Sequence, residues 1–177
     1  FPLATLGPLA KALKDNYPNL VANYYRFDGI TSNISKGDKS FRENLQLGDS
    51  TLLNMFGFTL QQGNSQTALK NPFTVVITKD KALKYFGKTD VVGQTIPIEN
   101  FSGSKHDFLI TGVLNTITKN SVTTLIGNYP GDFYVSTDNL NFFGRNMTWQ
   151  NAFIASYIEL QKDVNPKDLE KPIGDVE

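Results

Sequence analysis

The stretch FTVVITKDKALKYFG, residues 73–87, leaves the chain less choice than any other. Val75, Val76 and Ile77 form an uninterrupted apolar run of the kind that becomes a buried strand. Thr78 follows directly, and a threonine there caps a helix by accepting a bond from a backbone N–H of the first turn. The residues up to Phe86 then place Ala82, Leu83 and Phe86 at helical spacing. Gly87 stands where a helix ends in the left-handed conformation that glycine adopts without strain. A strand and a helix are therefore expected with a single residue between them.

That glycine also opens Gly87-Lys88-Thr89, the tripeptide that ends a nucleotide-binding phosphate loop. Such a loop needs a second glycine five positions earlier, where this chain has Ala82. It also needs the tripeptide to begin a helix, because the free N–H groups at a helix N-terminus hold the phosphates. Here the tripeptide follows a helix, and the unpaired carbonyls at that end repel phosphate. Gly87 reads as a helix C-cap, not as part of a nucleotide site.

Around this unit short apolar stretches alternate with turns. TLGPLAKALKDNYPNL places Leu6, Leu9, Ala10, Leu13 and Tyr17 at helical spacing, with Thr5 or Gly7 as N-cap, Pro8 in the first turn and Pro18 as the stop. LVANYYRFDG reads as a strand bounded by Asp28-Gly29. SFRENLQLG alternates Phe41, Glu43, Leu45 and Leu47 with Arg42, Asn44 and Gln46, and residues 36–39 supply the hairpin turn before it. Asp49 is placed to cap a short helix, STLLNMF, that Gly57 ends. FGFTLQQG is extended, Asn64 to Leu69 add a helical turn, and Asn71-Pro72 breaks it. QTIPI and DFLITGVL are strands separated by the polar loop ENFSGSKH, and between Asn115 and Gln150 only DFYVS is clearly extended. AFIASYIEL is a strand, and Asn165-Pro166 starts a helix with a cap followed by proline. Short helices and numerous strands give an α+β class.

At 177 residues the chain suits one domain or two interleaved lobes, and folding should bury roughly 70% of the unfolded surface. Apolar residues make up 40% and aromatics 12%, with 13 Phe and 7 Tyr, which excludes a disordered tail and favours strands. The 17 basic and 17 acidic residues cancel without a long block of either sign, so no nucleic-acid partner is expected. The absence of cysteine excludes disulfides and thiolate metal sites, and leaves the redox compartment open. The chain lacks a run of about 18 apolar residues and a signal-peptide pattern, so the segment itself is expected to be soluble. It opens on Phe1-Pro2 and closes soon after a helical start, which reads as a piece of something longer.

The candidates for chemistry are few. His106, the one histidine, sits in GSKHD beside Ser104 and Asp107, and three such residues crowded into one loop do not make a triad assembled in space. No calcium-type Asp-x-Asp-x-Asp-Gly loop occurs, and no metal or cofactor is expected. Lys79, Lys81, Lys84 and Lys88 are either the wet face of one helix or an attraction for anionic lipid or a partner. NLNFFGRNMTW clusters Phe142, Phe143, Met147 and Trp149, as the core of an irregular loop or as a contact surface. Asn33-Ile34-Ser35 and Asn146-Met147-Thr148 match the glycosylation pattern at a level that an Asn-rich chain reaches by chance. No catalytic residue, cofactor-binding residue or metal ligand is assigned.

VVITKDKALKYFGKTDVVGQTIPI followed by FLITGVLNTITKNSV resembles the periplasmic core domain of MacB-like, FtsX-type ABC transporter permeases. The resemblance rests on Ala82, Phe86-Gly87, Val92-Gly93, Ile96, Ile110, Gly112-Val113 and Asn120-Ser121. LAKALKDNYPNL, GDSTLLNMFGFTLQQGNSQTAL and SYIELQKDVNPKDLEKPI extend it over nearly the whole chain. Val91, Thr118 and Val122 depart from the family's residues at turn and loop positions, which leaves the subfamily open.

The resemblance implies a single extracytoplasmic domain set between the first two membrane helices of an inner-membrane permease. It implies a porter-like lobe of short helices on a mixed sheet, residues 1–69 with 150–177, and a strand-rich lobe, residues 70–149, inserted in the middle. It implies a non-catalytic role that couples ATP-driven motion to efflux or to handling of a periplasmic or membrane substrate. The implied partners are a cognate ABC ATPase, a second permease copy in a dimer, and a periplasmic adaptor or substrate protein. The alternative is a free-standing periplasmic or surface module that binds a small ligand or glycan.

Overall fold

A computed structural model describes residues 4–115, 121–122 and 131–176. In chain order the elements are β1 (Thr5–Leu6), α1 (Leu9–Asn16), β2 (Val21–Lys36), β3 (Lys39–Gly48), α2 (Leu52–Met55), β4 (Leu60–Gly63) and β5 (Thr74–Thr78). They continue with α3 (Lys79–Phe86), β6 (Thr95–Glu99), β7 (Lys105–Leu114), β8 (Phe133–Ser136), β9 (Ala152–Leu160) and α4 (Glu170–Val176). Every strand and helix named belongs to a mixed α and β architecture, and no helix among the described residues is long and apolar enough to cross a membrane.

The chain falls into two compact units, Phe1–Asp28 with Asn146–Glu177, and Gly29–Arg145. This grouping differs from lobes that meet at residues 69 and 70. Residues 29–69 join the middle of the chain because β3 pairs in parallel with β8 and β4 pairs with β7.

In the first unit β9 lies between β1 and the opening part of β2, with Val21 to Phe27 set antiparallel against Leu160 to Ala155. Leu9 and Leu13 of α1 meet Val21 and Leu169 in a small core, and Ile158, Leu160 and Ile173 close around it. Pro8, not Thr5 or Gly7, occupies the cap position of α1. The Gly7 carbonyl instead accepts from Nη1 of the buried Arg26 at 2.8 Å. Asn165 caps as expected: its side chain accepts from Lys167 N, and its own N–H donates to Asp168. The turn it starts, Pro166–Leu169, is 3-10 before the chain widens into α4.

The second unit is built on strand pairings that close on themselves. β2 and β3 form a hairpin through Gly37-Asp38. The order then runs β3, β8, β5, β7, with β3–β8 and β5–β7 parallel and β5–β8 antiparallel. β6 pairs along β7 and returns to β2 through Ile34 opposite Ile98. Each strand of this circuit contributes fully buried apolar residues, among them Ile34, Leu47, Val135, Val76, Ile110 and Ile98. As in small barrels, side chains fill the interior.

Asp28-Gly29 does not end a strand, because β2 leaves its pairing with β9 and continues to the β3 hairpin. The helix after Asp49 begins two residues later than that residue suggests, with Thr51 at its cap position.

β5 follows the sequence reading closely. Val75, Val76 and Ile77 have no exposed surface, since β7 and β8 flank the strand and α3 packs on it. The Thr78 hydroxyl accepts from Lys81 N at 3.4 Å, a long cap contributing at most about 1 kcal/mol. Gly87 ends α3 in the left-handed region, φ 72°, with its N–H on the Leu83 carbonyl. Gly63 is left-handed too, φ 101°, but a side chain there would meet the Thr111 carbonyl oxygen at 2.3 Å, whereas Gly87 faces open space.

Alternation along β3 puts Glu43 on the side of Leu45 and Leu47, and it is 5% exposed. Burial alone would push its carboxyl up. Hydrogen bonds from Lys81, Lys84 and Tyr85 outweigh that and hold it below the usual carboxylate range. Lys84 Nζ and the Tyr85 hydroxyl lie 2.7 and 2.9 Å from Oε1, and Lys81 binds Oε2. Lys81 also reaches Asp132 Oδ2 at 3.2 Å. At Asp132 burial wins over Lys81, and the carboxyl is raised. Burial, and then the bond to Glu43, pushes the Tyr85 phenol up, so it stays a donor. By linkage, Glu43 adds stability that is lost as pH falls through its lowered pKa. Asp132 has the opposite sign: the fold gains as pH falls through its raised pKa.

Two pairs of substitutions test these points by urea unfolding. Gly87→Ala should cost about 1 kcal/mol for conformation alone, and Gly63→Ala about 3 kcal/mol because the backbone must also move. Glu43→Gln should cost about 2 kcal/mol at neutral pH, less than a fully buried pair because the lysines keep some water, and should flatten the acid loss of stability. Asp132→Asn should lie within about 0.5 kcal/mol of wild type at pH 7 and steepen the acid loss. Equal effects of the two carboxyl substitutions would contradict the assignment.

Candidate functional site

The structure sorts the residues singled out in the sequence. Gly87-Lys88-Thr89 lies at the carbonyl end of α3, with the Gly87 N–H committed to Leu83 at 2.9 Å. The loop geometry that holds a nucleotide phosphate at a helix N-terminus is not formed there. Of the four lysines, Lys81 and Lys84 are bound to Glu43, while Lys79 and Lys88 are exposed. Lys84 also lies 3.7 Å from the centre of the Phe41 ring. Half of the basic row is thus spent inside the protein. The run NLNFFGRNMTW divides between the two units: Phe142 and Phe143 belong to the second, Met147 and Trp149 to the first. Phe143 is fully buried and Trp149 is 43% exposed, so neither reading of the run holds for all of it.

Within the second unit, Phe142 and Phe143 meet an aromatic group that the sequence does not place together. Phe73, His106, Phe108 and Phe142 make edge or tilted contacts, with the Phe73 and His106 ring centres 3.8 Å apart and Phe73 and Phe142 5.8 Å apart. Phe142 packs edge-on against Phe143 at 4.8 Å. His106, exposed on β7, is therefore part of a stack of rings. Such contacts contribute about 0.5–1.5 kcal/mol each beyond the area they bury.

Phe73 stands at φ 52°, a conformation costing about 1–3 kcal/mol for a residue with a side chain. The strain is held from three sides. Phe73 N–H donates to Asn139 Oδ1 at 2.8 Å, its carbonyl accepts from Leu109 N at 2.8 Å, and its ring is in the stack. Asn139 is itself buried and donates to the Ser136 carbonyl.

Above the stack, the tip of the β6–β7 hairpin and the 139–144 turn form the walls of a cleft of about 440 Å³. Its lining is Asn100, Phe101, Ser102, Asn141, Phe142, Phe143 and Gly144. Asn100 organises the rim. Its Oδ1 accepts from Ser102 N, Ser102 Oγ and Ser104 N, and its Nδ2 donates to the Phe142 carbonyl at 3.0 Å, tying one wall to the other. Phe101 is 56% exposed, with Phe143 edge-on to its ring and the Arg145 guanidinium 5.2 Å from its centre. Among the described residues no ionisable side chain lines the cleft. The arrangement can bind, by apolar contact and neutral hydrogen bonds, and it offers no acid, base or nucleophile at hydrogen-bond distance from another.

Among the described residues no group of histidine and carboxylate side chains has the spacing to hold a metal ion. The family positions Thr118 and Asn120 lie outside the described residues.

Known proteins share this fold. The chain is similar to a domain of a protein described as a permease from Porphyromonas gingivalis, with 23% identity and TM-score 0.74 over 96% of this chain and 68% of that one. It is similar to the periplasmic region of MacB from Actinobacillus actinomycetemcomitans, with 17% identity and TM-score 0.68 over 98% of this chain and 73% of that one. A third likeness is to the extracellular domain of the ABC-type transporter YknZ from Gram-positive bacteria, with 17% identity and TM-score 0.63 over 98% and 80%. No curated protein sequence matches the chain. The family model of the MacB-like periplasmic core domain matches residues 3–176, and the chain belongs to that family.

Proposed function

We propose that this domain is the extracytoplasmic part of an ABC transporter permease and relays motion driven by ATP on the cytoplasmic side to a periplasmic or membrane substrate. The observation that carries the reading is the family match over residues 3–176, which takes in both units. In this reading the domain is non-catalytic. ATP is bound and hydrolysed by a cognate ATPase domain or subunit, and its two nucleotide states bias two conformations of the permease. The permease works as a dimer, and a periplasmic adaptor or substrate protein meets the domain outside the membrane.

The alternative, a free-standing binding module, is favoured by one observation, the neutral aromatic cleft of the second unit. The open reading frame separates the two readings. A permease requires an apolar helix of about 20 residues shortly before Phe1 and more of them after Glu177. Hydrophilic flanks on both sides would overturn the permease reading. Calorimetry of the purified domain with Mg-ATP should show no binding, and a micromolar Kd would contradict the assignment of Gly87 as a structural cap.

A further inference from the structure

We propose that the cleft between residues 100–102 and 141–144 binds a neutral polyhydroxylated ring, a pyranose sugar or the exposed end of a glycan. The volume, about 440 Å³, lies within the roughly 300–1,000 Å³ of clefts that take small ligands. None of its lining residues is ionisable, and the cation beside it, Arg145, lies over the Phe101 ring, so the cleft offers a phosphorylated or carboxylated ligand no paired donor among its lining side chains.

The polar groups on the rim both donate and accept. The Asn141 side-chain amide has no partner among the described residues and is exposed. Asn100 Nδ2 spends one hydrogen on the Phe142 carbonyl and keeps the other. Ser102 lies with its hydroxyl on Asn100 Oδ1, and its oxygen keeps an accepting lone pair. Adjacent hydroxyls on a sugar ring present the same mixed set. A hydrocarbon ligand would cover these groups and leave them unpaired, at a cost.

Between the polar groups stand Phe101 and Phe142, whose rings offer apolar surface to the C–H face of a pyranose. Phe101 is largely exposed yet braced by Phe143 and Arg145, so little freedom remains to be lost on binding. The Asn100 bonds hold the walls in place before any ligand arrives. The surfaces at α3 and β4 offer less: the lysines of α3 are half consumed by Glu43, and β4 is four residues long.

The test is an amide NMR titration of the 15N-labelled chain. The probes are methyl N-acetylglucosaminide, chitotetraose and maltotetraose, with glucose 6-phosphate and hexanol as charged and apolar controls. Neutral sugars should shift amides of residues 100–103 and 141–144, saturating at a Kd of about 1 mM. Phe101→Ala and Asn141→Ala should each weaken binding about tenfold or more. Asn141→Ala should leave Tm unchanged, its side chain being exposed, and Phe101→Ala should lower it slightly through loss of the Phe143 and Arg145 contacts. Tighter binding of a tetrasaccharide than of the methyl glycoside assigns the cleft to a glycan chain, and equal affinity assigns it to a free sugar. The proposal falls if no neutral sugar perturbs these amides at roughly 20 mM, or if only the charged or apolar control does.

Discussion

Ile34 opposite Ile98 is the contact on which the second unit depends. It closes the circuit of strands, and side-chain bonds from Ser32, Asn33 and Lys36 of β2 to Glu99 and Thr95 of β6 reinforce it. Both isoleucines are fully buried, and β6 is fixed between β2 and β7. The β6–β7 hairpin tip, with Asn100 and Phe101, thereby gains a rigid base. The same closure leaves α3 on the outside, where Ala82 and Tyr85 supply its buried face. Tyr85 then meets Glu43 on β3, and the one buried carboxylate on that side of the strand is held by groups from a single helix.

Local structure was legible wherever a short stretch carried its own signal. Thr78 and Gly87 bracket α3 because capping and left-handed backbone are decided by adjacent residues. Asn165-Pro166 behaved the same way, as did the two-residue turn at Gly37-Asp38. Asp28-Gly29 misled because a strand's end is set by its partners, and β2 exchanges β9 for β3 as it passes that point. Pro8 took the cap position of α1 because Gly7 serves Arg26, a contact across 19 residues. The α+β class needed only the spacing of strands and helices, whereas the closure of the strand circuit needed pairings between distant segments.

The cleft was legible only in pieces. The polar loop ENFSGSKH and the pair Phe142-Phe143 are each visible in the sequence, but their meeting depends on Asn100 reaching a carbonyl 42 residues away. Phe73 gave no sign of its left-handed backbone, since the cause, Asn139, lies 66 residues on. The lysines of α3 were ambiguous for the same reason: Glu43 precedes Lys81 by 38 residues and Lys84 by 41. A wet helical face and a half-internal one have the same sequence pattern until the facing strand is known.

Closure of the strand circuit also bears on how such a domain survives outside the cell's interior, where ATP-dependent chaperones do not operate. Unpaired strand edges are templates for pairing with other chains, and a ring of strands hides its own edges. Among the described residues the strands left at sheet ends are β1, two residues long, and β4, four residues long and ending at the left-handed Gly63. Neither is long enough to seed a stable foreign sheet. Protection of the strand edges in the second unit thus comes from topology rather than from charge, since the net charge is zero.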